Sequence, residues 1–126
     1  LIEINPRLVG AKIPRLISLA CKRSIHSDLI DLHLGRAVAP FSEVSEVAVT
    51  RWLVASETGT LAEVKLPSLT DTRIACVEIL KPIGAPVRPP MENEDRIGYV
   101  MSSAPTRQEA DEAAESFLKN SLLLYS

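Results

Sequence analysis

The spacing of apolar and polar residues changes along the chain from a helical period to an extended one, near residue 40. Residues 1–5 alternate between isoleucines and polar residues, which is typical of a strand packed on one face. Two amphipathic helices are predicted next. The first has Pro14 in its first turn, and the second has Ser27 as its N-cap and ends near Leu34, before a glycine.

Beyond residue 40 the chain carries short apolar runs rich in β-branched residues, and such runs predict strands. They lie at 47–55, 61–66, 72–80 and 96–102. The first two are predicted to form a hairpin through the loop at 57–60. The stretch at 82–90, with its four prolines and one glycine, is predicted to be irregular.

The end of the chain predicts a helix followed by a strand. Thr106 and Glu109 have the spacing of a capping box at a helix start, and the side of that helix predicted to be buried begins with alanines. Residues 122–125 return as an edge strand. The predicted fold class is α+β: residues 1–40 form a strand and two helices, and residues 41–126 form an antiparallel sheet with one helix packed on it.

Glu3, Asn5 and Arg7 form the pattern that points to chemistry. A spacing of two on an extended backbone places a carboxylate, an amide and a guanidinium on the same side. Carboxylate and amide oxygens suit a Mg²⁺ ion shared with phosphate groups, and a guanidinium can bind a phosphoryl oxygen or a carboxylate with two hydrogen bonds. The same three residues also fit an exposed strand without a catalytic role.

Several segments resemble the end of the ATP-grasp core and the C-terminal subdomain of ATP-grasp ligases. They are IEINPRL at 2–8, DLIDLHLG at 28–35, GAPVR at 84–88, DRIGYV at 95–100 and TRQEA at 106–110. The pattern is similar to that of L-amino acid ligases, carbamoyl-phosphate-synthase-like ligases and the C-terminal region of biotin carboxylase. The resemblance implies that residues 1–40 end the ATP-grasp core and that residues 41–126 are the C-terminal α+β subdomain.

The resemblance also implies an activity, that of an ATP-dependent carboxylate-amine ligase acting through an acyl phosphate. In such an enzyme Glu3 and Asn5 bind Mg²⁺ on ATP, Arg7 stabilises the transferring phosphoryl group, and Gly10 meets the carboxylate substrate. Ala11 stands where many relatives carry a second glycine. The other nucleotide-binding residues of the family lie upstream of this motif, so the chain is interpreted as a fragment and is expected to be inactive alone.

Composition limits the classes of partner. The net charge of −2 and the pI near 5.7 provide no basic surface for nucleic acid. No apolar run approaches the roughly 20 residues of a membrane-spanning helix. We therefore expect no nucleic-acid or membrane partner and a cytoplasmic location. The expected partners are ATP, a small carboxylate, an amine and the missing N-terminal ATP-grasp portion, and a homodimer stays open.

Two other interpretations stay open at this point: a non-catalytic α+β interaction module and a fragment of a biotin-carboxylase-like carboxylase. Trp52 is predicted to be a core or interface anchor, with the lining of a substrate pocket as the alternative. Asp111, Glu112 and Glu115 are predicted to be the solvated face of the last helix rather than an acidic catalytic cluster. The two histidines are assigned no function.

Overall fold

The structure, a computed structural model, describes residues 7–40 and 44–126. The predicted strand at 1–5 therefore lies outside the described residues. The helices are α1 (Ile13–Ala20), α2 (Ile25–His33) and α3 (Arg107–Lys119). The strands are β1 (Val47–Val54), β2 (Gly59–Lys65), β3 (Ile74–Ile79), β4 (Pro86–Val87), β5 (Arg96–Ala104) and β6 (Leu122–Tyr125). This arrangement confirms the predicted α+β fold class, whereas the division into two units near residue 40 stays a prediction.

The strands of the described residues form two three-stranded antiparallel sheets. In the first sheet β5 lies between β1 and β3, and in the second β2 lies between β4 and β6. The predicted hairpin of β1 and β2 is therefore wrong, because the two strands pair with different partners. The strand β4, inside the proline-rich stretch predicted to be irregular, was missed. It has only two residues, too few to show a pattern in the sequence.

The helix α3 packs on one face of the first sheet, as its row of alanines predicts. Ala110 contacts Val49 of β1, while Ala114 and Phe117 contact Val100 of β5, and all five side chains are buried. Alanines let the helix approach the sheet closely, and burial of the phenylalanine stabilises the fold by roughly 1.5–3 kcal/mol.

The start of α3 confirms the predicted capping box. The Thr106 hydroxyl oxygen accepts a hydrogen bond from the Glu109 N–H at 3.2 Å, and the Glu109 carboxylate accepts one from the Thr106 N–H at 3.1 Å. Two amide groups that the helix leaves unpaired are satisfied in this way.

A second cluster of buried side chains lies between the two sheets. From the first sheet it contains Leu53 of β1, Ala55 just after β1, and Ile97 of β5. From the second sheet it contains Leu61 of β2 and Val87 of β4. The second sheet is thus held against the first by apolar packing. Val87 shows what the short strand β4 contributes, since it is 3% exposed and closes this cluster.

The second helix begins earlier than predicted. Its N-cap is Ser24, whose hydroxyl oxygen accepts a hydrogen bond from the Ser27 N–H at 3.2 Å, so the predicted cap residue lies in the first turn. Serine is a favourable N-cap at either position. Ser24 is the cap in the structure because the helix already includes Ile25, which is buried. The predicted end near Leu34 is confirmed, and Gly35 follows with a φ of 70°.

Candidate functional site

Of the four predicted site residues, the structure describes two. Glu3 and Asn5 lie outside the described residues. Arg7 and Gly10 are exposed in the loop that leads into α1. The Arg7 guanidinium donates to the carbonyl oxygen of Leu8 at 3.4 Å, and no other described residue accepts a hydrogen bond from it. A Cβ at Gly10 would meet no atom of the described residues within 4 Å.

Ala11 holds a left-handed backbone, with a φ of 57°. A residue with a Cβ adopts this conformation at a cost of roughly 1–2 kcal/mol, whereas glycine adopts it freely. The resemblance placed a second glycine at this position in many relatives. The alanine therefore keeps a turn that glycine would make without strain.

The helix α1 lies on the face of the first sheet opposite α3. The register places Trp52, Tyr99 and Glu78 side by side across the three strands, and the residue after Tyr99 packs against α3. Arg15 Nη1 donates to Tyr99 Oη at 3.2 Å, and Lys12 Nζ lies 3.5 Å from Glu78 Oε2 and 4.7 Å from the centre of the Tyr99 ring. These contacts attach the start of α1, and with it the preceding loop, to the sheet.

The tyrosine and glutamate of this network hold fixed protonation states. The Tyr99 hydroxyl donates to the Glu78 carboxylate, and Tyr99 is 1% exposed. Burial, and then this hydrogen bond, raise the pKa of Tyr99 well above its ordinary value. The same hydrogen bond, and then the charges of Lys12 and Arg15, outweigh burial and lower the pKa of Glu78. The network is therefore an electrostatic anchor rather than an acid and base that exchange a proton near neutral pH.

An open groove of about 600 Å³ lies beside Trp52. The guanidinium carbon of Arg96 is 3.9 Å from the centre of the indole ring, and the ring of Tyr99 meets the indole edge-on with centroids 5.7 Å apart. Residues 90–94 also line the groove and form its rim. Trp52 is half-buried, so it both packs on the sheet and lines a concave surface.

The rim of the groove is built around Asp95, which is 5% exposed. One carboxylate oxygen accepts hydrogen bonds from the amides of Met91 and Glu92 at 2.9 and 3.0 Å, and the other accepts one from Arg88 Nε at 2.8 Å. These interactions, the one with Arg88 first, lower the pKa of Asp95 to about 2. The charged carboxylate thus fixes the loop that borders the groove.

We expect Asp95→Asn to destabilise the fold at neutral pH and to have a smaller effect in acid. The folded-state pKa of about 2 lies below the ordinary value of 3.8, so the carboxylate contributes stability above pH 3.8 that is lost as the pH falls through 2. Urea-unfolding midpoints of the two proteins, compared at pH 7 and near pH 2, should therefore converge in acid. A gap that stays constant with pH would contradict this assignment.

The predicted solvated face of α3 is wrong at one residue. Asp111 is half-buried and forms an ion pair with Arg51 of β1, and Glu115 lies 3.7 Å from the same arginine. Glu112 is exposed, as predicted. The partner of Asp111 comes from the sheet, which the sequence of the helix alone does not reveal.

Two absences hold for residues 7–40 and 44–126. No group of three or more His, Cys, Asp or Glu side chains is placed to hold a metal ion. In the same part of the chain, none of the helices is both long and apolar enough to cross a lipid bilayer.

The sequence did not single out Glu78, Tyr99 or Arg96. Their relation to Trp52 depends on which strands pair and in which register, and local patterns do not fix either. The available signal was Gly98, because a glycine inside a strand often marks a close approach of another backbone.

Residues 51–120, more than half of the chain, match the family described as L-amino acid ligase C-terminal domain 2. The chain belongs to this family, and the predicted relation to the C-terminal part of the ATP-grasp ligases is confirmed. It is 32% identical over 117 residues to the uncharacterized protein y4rH of Sinorhizobium fredii. That alignment covers 87% of this chain and 23% of the relative.

Two solved structures share the fold. Phosphoribosylglycinamide synthetase from Anaerococcus prevotii superposes with a TM-score of 0.81 and 12% identity, over 91% of this chain and 30% of that one. L-amino acid ligase from Bacillus licheniformis superposes with a TM-score of 0.77 and 13% identity, over 99% and 32%. Identities this low show the fold alone. The chain spans about a quarter to a third of the length of the proteins that it matches.

Proposed function

We propose that this chain is the C-terminal segment of an ATP-dependent carboxylate-amine ligase. The γ-phosphoryl group of ATP is transferred to a carboxylate oxygen of the substrate, which yields an acyl phosphate and ADP. The nitrogen of an amine then attacks the acyl carbon, phosphate leaves, and the amine loses a proton as the C–N bond forms. The family match over residues 51–120 is the observation that carries this proposal.

Within this reaction we assign Glu3 and Asn5 to Mg²⁺ and Arg7 to the phosphoryl group. A carboxylate and an amide oxygen are the ligand types that Mg²⁺ takes in proteins, so the donor set fits the ion chemically. When bound, Mg²⁺ offsets the negative charge of the phosphates. Arg7 binds a phosphoryl oxygen or the carboxylate, and Gly10 leaves room for the carboxylate substrate beside it.

The packing of α1 supports the assignment of Arg7. The loop that carries this arginine is attached to the sheet through the contacts of Lys12 and Arg15 with Glu78 and Tyr99. Catalysis of phosphoryl transfer consists largely of positioning and electrostatic stabilisation. A guanidinium on a loop that is fixed at its far end is suited to both.

An apolar face on α1 and α2 supports the expected N-terminal partner. Ile30, Leu32 and Leu34 are 58–60% exposed. Leu32 also lines an apolar groove of about 300 Å³, together with Leu8 and Val38. Exposed apolar patches of this kind mark interaction surfaces. We propose that the ATP-binding portion of the ligase covers this face, since the relatives that the chain matches are much longer proteins.

We expect Arg7→Lys to lower turnover by at least about tenfold in an enzyme that contains the ATP-binding portion together with this segment. Lysine keeps the positive charge but loses the two parallel hydrogen bonds that a guanidinium gives to an oxyanion. The measurement is the steady-state rate of ADP formation that depends on both carboxylate and amine.

Arg107→Lys is the matched control, because Arg107 has an 80% exposed side chain on the outer surface of α3. It should leave turnover unchanged. If the two lysine variants gave equal rates, Arg7 would have no role in the reaction, and the non-catalytic interaction module would become the better interpretation.

A further inference from the structure

We propose that the groove at Trp52 and Arg96 binds a small carboxylate with an apolar body, as an amino acid has. The choice of ligand class rests on the proposed ligase function, whereas the site itself rests on the geometry of the groove. Its volume of about 600 Å³ lies within the range of about 300–1,000 Å³ that is usual for small-molecule sites. The carboxylate is bound by the Arg96 guanidinium, and the apolar body packs on the exposed part of the indole.

Arg96 is the group that provides the charge. Its guanidinium lies over the Trp52 ring, and no residue in the described part of the chain accepts a hydrogen bond from it or forms an ion pair with it. A guanidinium has five N–H donors, and stacking on a ring leaves those in its plane free. An arginine held in this way can bind a carboxylate with two parallel hydrogen bonds.

The floor of the groove is rigid before any ligand arrives. Trp52 packs edge-on against Tyr99 at 5.7 Å and 64°, and Tyr99 is itself held by Glu78 and Arg15. A fixed aromatic surface loses little conformational freedom when a ligand packs on it. The aromatic contact therefore contributes to affinity with little ordering cost.

The rim is rigid for a different reason. Asp95 accepts hydrogen bonds from the backbone amides of Met91 and Glu92, and this holds the segment that lines the groove together with Arg96. Met91 is 81% exposed and adds an apolar side chain to the lining of the groove. Glu92 and Glu94 add two exposed carboxylates to the same rim. Glu92 lies 3.5 Å from Arg88, and the Glu94 carboxylate suits the ammonium group of an amino acid.

The position of the groove agrees with a role in the proposed reaction. Trp52 and Tyr99 are cross-strand neighbours on the face of the sheet that α1 covers. The same Tyr99 contacts Lys12 and Arg15, which follow the loop of Arg7 and Gly10. The groove and the loop are thus attached to one another through a single buried tyrosine.

The alternative is that Arg96 and Trp52 form a surface stack without a ligand, as such pairs often do. The two interpretations differ in ligand dependence. Trp52 is the single tryptophan of the chain, so its fluorescence reports on the groove directly. The experiment is a titration of the 126-residue chain with L-leucine, N-acetyl-L-leucine and L-leucinamide, without ATP.

We expect saturable fluorescence changes with L-leucine and N-acetyl-L-leucine, with dissociation constants on the order of millimolar, as suits so small a contact. L-leucinamide lacks the carboxylate and should bind at least about tenfold more weakly. Arg96→Gln should weaken binding of L-leucine by a similar factor, whereas Arg96→Lys should restore part of it. Arg107→Gln changes an exposed arginine of α3, which packs on the opposite face of the sheet from Trp52, and this variant should bind as the unaltered chain does.

Three results would each overturn the proposal: no saturable change up to about 100 mM ligand, equal binding of the leucinamide, or equal binding by Arg96→Gln. Circular dichroism of each variant separates lost binding from lost folding. Because the titration needs neither ATP nor turnover, its failure leaves the proposed ligase function intact. Failure of the Arg7 experiment, conversely, leaves a carboxylate site at Arg96 standing.

Discussion

In an enzyme that contains the ATP-binding portion together with this segment, Glu3→Gln is expected to lower kcat by more than about a hundredfold, which corresponds to roughly 2.7 kcal/mol of lost transition-state stabilisation. Glutamine keeps the size of the side chain but removes the negative charge that we assign to Mg²⁺. Mg²⁺ held by Glu3 would offset charge on the phosphates, so loss of the ion would be felt in the chemical step. The measurement is kcat at saturating substrates, over a range of Mg²⁺ concentrations.

Glu112→Gln is the control, because it makes the same chemical change on the exposed face of α3. Surface substitutions of this kind usually alter stability by less than about 0.5 kcal/mol, and kcat should stay the same. If the two glutamine variants had the same kcat, the assignment of Glu3 to the metal would be wrong. If a high Mg²⁺ concentration partly restored the rate of the Glu3→Gln enzyme, the affected step would be the binding of Mg²⁺.

Gly98→Ala is expected to have the largest effect on stability, about 3 kcal/mol, the upper end for overpacking a core. A Cβ at this buried position would lie 2.6 Å from the backbone oxygen of Glu78 and 3.0 Å from a side-chain carbon of Ile79. A backbone oxygen in the ladder between β3 and β5 cannot move aside as a flexible side chain can. The change is large against a total stability of about 5–15 kcal/mol.

Urea unfolding followed by Trp52 fluorescence measures this effect, and the midpoint should fall by about 1–2 M. Gly10→Ala is the matched control for stability, since a Cβ there would meet no atom within 4 Å among residues 7–40 and 44–126. Its midpoint should stay unchanged. A Gly98→Ala protein as stable as the Gly10→Ala protein would show that β3 and β5 separate more easily than their register indicates.

Several elements were predicted correctly because their signals are local. The helix α3 combines a capping box at Thr106 and Glu109 with a run of small residues at helical spacing, and the structure has both. The end of α2 at Gly35 was predicted because glycine adopts a positive φ without strain. Strands β1, β3 and β5 were predicted from their β-branched and apolar composition, to within two residues at each end.

The errors share one cause, which is a choice between partners that the sequence leaves equivalent. Ser24 and Ser27 are both good N-caps, and the buried position of Ile25 selects the first. The segment between β1 and β2 has the residues of a hairpin loop, yet β1 pairs with β5, whereas β2 pairs with β4 and β6. Asp111 was expected to be solvated, and an arginine from a neighbouring strand pairs with it.

For the candidate site, too, local patterns in the sequence predict one part, and contacts between distant segments decide the other. The sequence by itself determined the α+β class, the final helix and the family relation, because alternation, capping and motif spacing are properties of neighbouring residues. The motif at Glu3, Asn5 and Arg7 comes from the same kind of local pattern and stays a prediction. Only the tertiary structure decided that Arg96 stacks on Trp52 and that a buried tyrosine ties this pair to the loop of Arg7. Those contacts join strands and a helix that are distant in sequence, and strand pairing and register, which no local pattern encodes, bring them together.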